Sequence, residues 1–242
     1  MQSILLRYWL SGSKAMTSPT TCGPALVQGR RLAPDTDTLT VAILGVPRGG
    51  TTMVAGAAIR CGLPIGTSLP GNLEDPDFVG GDLARLEAAV VKRNASLKVW
   101  GWKYPRAAGY LPHLLPKLRN PRIVMVWRDL MATAARRIAR GDPIYDVFLT
   151  ASRIQKRNLA LMAAAPCPIL HVSYEKAILD PEPFVEMLAA FVGGKLPADM
   201  NELRAFMQPG SYKPVESSEL ILAGASAPDQ QATAGSRENE PA

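Results

Sequence analysis

Residues 40–62 read TVAILGVPRGGTTMVAGAAIRCG. The apolar run 41–44 predicts a buried strand, the glycine-rich run 45–50 a turn, and residues 51–61 a helix closed by Gly62. Gly45 and Gly50 are spaced GxxxxG and are followed by Thr51 and Thr52, the layout of a phosphate-binding loop. Glycines let backbone N–H groups approach and surround an anion. The helix that follows points its positive end at the same place. One feature departs from the nucleotide-triphosphate version of this loop. Thr51 stands where that version has a lysine for the β and γ phosphates. A full positive charge is present instead at Arg48.

The chain on either side alternates strands with helices. LKVWGWK, RIVMVW and PILHVSYE read as further strands. GDLARLEAAVVKRN, DLMATAARRIARG, YDVFLTASRIQKRNLALMAAA and PEPFVEMLAAFVGG read as helices, with Asp82 and Asp129 as caps and Pro or Gly at several ends. AGYLPHLLPKL, broken by prolines, predicts a short helix or turn. Apolar strands alternating with helices imply an α/β fold with a central parallel sheet covered on both faces. Ligands of such sheets sit beyond the carboxyl ends of the strands, where Arg48, Lys103, Arg128 and Tyr174 fall. Residues 1–38 lack periodicity and read as a poorly ordered lead. Residues 39–212 form the domain, and 213–242 read as a flexible tail rich in Ala, Gly, Ser, Pro and Gln.

Composition narrows the function classes. The net charge of +6 over 242 residues favours an anionic ligand. With few aromatics and no motif, nothing beyond that charge supports nucleic-acid binding. Three scattered cysteines without CxxC spacing argue against a disulfide framework or a zinc site and suit a reducing, cytoplasmic setting. No apolar run reaches the roughly 18 residues of a membrane span, and Arg7 interrupts the short apolar patch near the N-terminus, which argues against a signal peptide.

Arg128 ends a buried strand, a position where an arginine calls for an anionic partner. A second phosphate, apart from the glycine loop, is the expected one. Arg136 and Arg140 lie four residues apart on one helical face; Arg137 and Arg140 read as a solvated basic surface.

The motifs GVPRGGTT, EDPDF, WGWKYPR, VMVWRDLMATAARR and VSYEKAILDPEPFVEMLAAFVGG, in this order, resemble the sulfotransferases that use 3′-phosphoadenosine 5′-phosphosulfate (PAPS), most closely the short bacterial-type members. The resemblance spans roughly residues 40–208. It implies a P-loop-like three-layer α/β fold and no metal. It also implies that Arg48, Gly49, Gly50, Thr51 and Thr52 hold the 5′-phosphosulfate and that Arg128 meets the 3′-phosphate. Tyr174 falls near the adenine and Lys103 near the transferred sulfuryl group. Two positions depart from the family pattern. Gly49 replaces a common serine, and Arg136 replaces the serine of the 3′-phosphate site, where it either binds the phosphate in bidentate fashion or points away.

A base must take the proton of the acceptor hydroxyl. His113 is expected at the surface and His171 in a buried strand, and Pro105 stands where some family members have a histidine. The loop PGNLEDPDFVG offers carboxylates, with Glu74 first and Asp75 second; the alternative is that these acids cap a turn before Pro76. Arg106 is placed to orient a substrate or to pair with this acidic loop. Trp100 and Trp102 read as core residues or as an acceptor-facing wall. The expected activity is sulfuryl transfer from PAPS to a hydroxyl of a carbohydrate or small metabolite, with Arg48, Lys103 and Glu74 as the catalytic set. The alternatives are a P-loop nucleotide kinase or NTPase, with Asp129 as the candidate magnesium carboxylate, and a non-catalytic nucleotide-binding relative.

Overall fold

The structure is a computed structural model that describes residues 23–29 and 37–208. Of the expected lead at 1–38, residues 1–22 and 30–36 lie outside the described residues, as does the whole of the expected tail at 213–242.

Strand β1 (Ala25–Gln28) is followed by β2 (Leu39–Gly45), helix α1 (Thr51–Arg60), α2 (Leu83–Ser96), β3 (Val99–Lys103) and the single turn α3 (Leu111–Leu114). Next come β4 (Pro121–Trp127), α4 (Leu130–Ile138), α5 (Ile144–Ala164), β5 (Ile169–Ser173), α6 (Tyr174–Leu179), α7 (Pro181–Val192) and α8 (Met200–Met207). The sheet order is β1-β5-β4-β2-β3. Strands β2 to β5 are parallel, and every residue of β2 is buried, as a central strand covered on both faces requires.

The sequence reading left residues 1–38 without regular structure; β1 corrects it. Residues 25–28 pair antiparallel with β5, Leu26 opposite His171. Four residues are too short to show a period, so only the sheet edge they complete reveals them. At the other edge, the segment before the acidic loop covers β3, where Gly101 N–H donates to Pro64 O at 2.8 Å.

The core has two layers. On one face Met53 and Val54 of α1 pack with Phe184 and Leu188 of α7 and Phe206 of α8. On the other, Trp100 and Trp102 pack with Leu86 of α2, Leu111 of α3 and Leu161 of α5. From β2 the chain moves to β3 on one side, and from β4 to β5 on the other. The carboxyl ends of β2 and β4 therefore flank the point where strand order reverses, the place such sheets use for ligands.

Candidate active site

The loop after β2 carries its own strain. Arg48 has φ 67°, a left-handed conformation that costs a non-glycine residue about 1–3 kcal/mol. Gly50 follows at φ 85° as the N-cap of α1, and no side chain caps that helix. Its first N–H groups therefore lack intrahelical partners. Two glycines are fixed by crowding. A Cβ at Gly49 would stand 2.7 Å from the carbonyl oxygen of Val46, and one at Gly50 would stand 2.0 Å from the Tyr174 ring. The missing serine at position 49 thus has a local cause. The loop turns so tightly there, with Gly49 N–H donating to Val46 O at 2.8 Å, that backbone occupies the side-chain space.

Arg128, just beyond β4, closes over this loop. Its Nη1 donates to Arg48 O at 2.8 Å, and its guanidinium carbon lies 4.3 Å from the centre of the Tyr174 ring. Glu175 lies 3.9 Å from Arg128 Nε and accepts from Asp129 N–H at 3.0 Å. Nε is buried and makes no hydrogen bond among the described residues. Tyr174 opens α6 and is itself buried, its ring against Gly50 and under Arg128. Asp129 accepts from Ala132 N–H at 2.8 Å, so its carboxylate is engaged as the cap of α4. Arg136 falls within α4; its side chain is outside the described part of the structure.

At the end of β3, Lys103 is 1% exposed. Its Nζ donates to Glu74 Oε1 at 3.0 Å and to Asn72 O at 2.9 Å. The Thr52 hydroxyl donates to the same carbonyl at 3.1 Å, so α1, β3 and the acidic loop are tied at one oxygen. Burial holds the Lys103 ammonium below the ordinary lysine range; Glu74 pulls it back up, and the Arg48 charge pushes it down. Asn72, the hub of this arrangement, escapes sequence reasoning because its backbone carbonyl does the work.

The acidic loop is anchored from below. Asp75 is 2% exposed and receives Arg93 Nη2 at 2.6 Å and Asp77 N–H at 3.1 Å. Its carboxyl lies above the usual range because burial outweighs Arg93. Asp75 is therefore a turn-capping, ion-paired residue, and of the two carboxylates only Glu74 reaches Lys103. The pairing expected between Arg106 and this loop is made by Arg93 instead. Phe78 stacks on Trp102 with ring centres 4.7 Å apart, and its carbonyl accepts from the Tyr110 hydroxyl at 2.8 Å. That hydroxyl in turn accepts from Trp102 Nε1 at 3.0 Å. Both tryptophans are fully buried core residues.

His113 is exposed on α3. His171 accepts at Nδ1 from Trp127 Nε1, 3.0 Å, and faces Gln28 Oε1 at 2.7 Å through Nε2. An Nδ1 that accepts leaves Nε2 to carry the proton, so the ring is neutral, in line with the lowering of its pKa by burial. It joins β1 to the sheet.

On the α5 side of the sheet, a cavity of roughly 330 Å³ opens between the loop, α4 and α5, with Arg48, Arg106, Arg137 and Arg140 in its wall. Sequence reasoning assigned Arg137 and Arg140 to a solvated surface; the fold turns both toward this cavity.

Among solved structures, the chain is similar to the sulfotransferase domain from the Synechococcus PCC 7002 olefin synthase. The alignment covers 83% of this chain and 94% of that one, at 16% identity and a TM-score of 0.49. No family model and no curated protein matches the sequence. Among the described residues, no helix is long and apolar enough to cross a membrane.

Proposed function

We propose that the protein is a sulfotransferase that moves a sulfuryl group from PAPS to an acceptor hydroxyl. One observation carries the reading. At the carboxyl ends of β2 and β3, a lysine-less glycine loop with Arg48 stands beside a buried ammonium, Lys103, held by Glu74.

The residues fit such a donor. The α1 N-terminus is uncapped, Gly50 leaves no room for a side chain, and Arg128 keeps a buried Nε–H without a hydrogen-bond partner among the described residues. Gly49, Gly50, Thr51 and Thr52 would hold the 5′-phosphosulfate with Arg48. Arg128 and Arg136 would hold the 3′-phosphate, and Tyr174 would fix Arg128 and the loop at the adenine side. When bound, the donor supplies the sulfuryl group and its phosphate leaving group.

The chain's own contribution is electrostatic and positional. Arg48, Lys103 and the first amides of α1 form a fixed set of donors where charge builds on the leaving oxygen. They cost no reorganisation during the reaction, because Asn72 O and the strained loop already hold them. Glu74 takes the acceptor's proton, a contribution of about 10²–10⁴ in rate. No metal enters this scheme.

Incubation with sulfur-labelled PAPS and a metabolite extract tests the proposal. Wild type is expected to move label into new species, and Lys103→Ala is expected not to. A wild type that binds the donor product but moves no label would be a nucleotide-binding protein without transferase activity.

A further inference from the structure

The α4–α5 cavity holds a charge pattern that the donor does not account for. Its wall includes Arg48, Arg106, Arg137 and Arg140, and a single carboxylate, Asp142. Asp142 is bound to Arg137 Nε at 2.7 Å. Arg106 and Arg140 have no carboxylate partner among the described residues, and both are exposed. They come from different elements: Arg106 from the turn after β3, Arg140 from the turn after α4. Their convergence on one cavity is a property of the fold.

Apart from Arg48, the residues that line the cavity are not among the proposed phosphate contacts. Tyr174 packs with α1 and α7 on one face of the sheet. The cavity floor of Val46, Ala151 and Ile154 belongs to the α5 side. Arg48 belongs to both, since it lines the cavity and its charge acts on Lys103. A molecule seated in the cavity therefore ends beside the proposed transfer site.

We infer that this cavity is the acceptor site and that the acceptor carries an anionic group, phosphate or carboxylate, beside its reactive hydroxyl. This rests on the sulfotransferase reading. Arg106 and Arg140 bind the anion, Arg137 is held in place by Asp142, and the apolar floor of Val46, Val147 and Ile154 takes the carbon skeleton. Arginine suits the task because its planar fork meets phosphate and carboxylate oxygens in pairs.

The test is calorimetric titration of the full chain saturated with adenosine 3′,5′-bisphosphate, using glycerol, glycerate and glycerol 3-phosphate as probes. The expected result is that at least one anion binds ten times or more tightly than glycerol, more weakly in high salt, and that Arg106→Ala/Arg140→Ala abolishes the preference while keeping bisphosphate affinity. The tighter of the two anions identifies phosphate or carboxylate as the group recognised. Equal binding of all three probes overturns the inference, as does a preference that survives in the double variant. If the double variant loses bisphosphate affinity tenfold, the arginines serve the donor and the acceptor assignment fails while the sulfotransferase reading stands. If wild type does not bind the bisphosphate at all, that reading fails first and takes the inference with it.

Discussion

Lys103 Nζ lies 3.0 Å from Glu74 Oε1, with the lysine almost wholly buried and the glutamate side chain 23% exposed on an anchored loop. Each needs the other for a different reason. The ammonium would be costly to bury alone, and it holds in place the carboxylate proposed to take the acceptor's proton. Lys103→Ala is expected to lower transfer by about 10² or more, and Glu74→Gln by about 10²–10⁴, both with donor-product affinity within a few fold of wild type. The pH profile separates their roles. Transfer that needs the ammonium falls as pH rises through the lowered Lys103 value, so the alkaline limb comes below the ordinary lysine range. Glu74→Gln removes the influence that raises Lys103 and moves that limb further down. Residual activity of Glu74→Gln with an unmoved limb would contradict the pairing.

Replacing Gly49 by serine, the residue common in the resembling family, is expected to weaken donor-product binding about tenfold or more. The new Cβ meets the Val46 carbonyl, which is backbone and cannot swing aside. Gly50→Ala is worse, combining overlap with the Tyr174 ring and a left-handed φ. Titration of both variants with adenosine 3′,5′-bisphosphate, with thermal melts alongside, checks this.

Arg93 and Asp75 form a buried ion pair beneath the acidic loop, with side chains 12% and 3% exposed. Arg93→Ala leaves an unpaired buried carboxylate and the Ile65 carbonyl without its donor. Urea unfolding is expected to show a loss of about 3–5 kcal/mol. Asp75→Asn should cost less, since its amide oxygen still accepts. A loss in Arg93→Ala below 1 kcal/mol would show that the loop is held by its other contacts, at Asn72 O, Glu74 and Phe78, without the ion pair.

Two buried thiols make the fold sensitive to alkali. Burial pushes Cys61 up to about 12 and Cys167 up to about 11, from 9.0. Above pH 9 the unfolded chain loses these protons while the folded chain keeps them, so stability falls as pH rises through the window from 9 to 11 and beyond. The Cys61→Ala/Cys167→Ala variant is expected to be less stable at pH 7 but to show a flatter decline between pH 9 and 11 in denaturant titrations.

Much of this was legible in the chain. The apolar runs of β2 and β4 and the glycine-rich turn between β2 and α1 specify strand, loop and helix by local pattern alone. Glu74 and Lys103 were named as chemistry-bearing residues from motif context, yet their contact spans 29 positions and only folding joins them. The fate of Asp75 is unreadable because its partner, Arg93, lies 18 positions away near the end of α2, where it looks like one more basic residue of the helix's polar face. Strand β1 and the cavity arginines share that difficulty. Four residues have no period, and Arg137 and Arg140 look like solvated surface until the fold sets them in a cavity wall opposite α5.

The most direct test of the donor site is calorimetric titration with adenosine 3′,5′-bisphosphate beside ATP with magnesium. Binding of the bisphosphate in preference to ATP is expected, with Arg48→Ala and Arg128→Ala each weakening it by about tenfold or more. Preference for ATP with magnesium, or bisphosphate binding indifferent to both arginines, would contradict it.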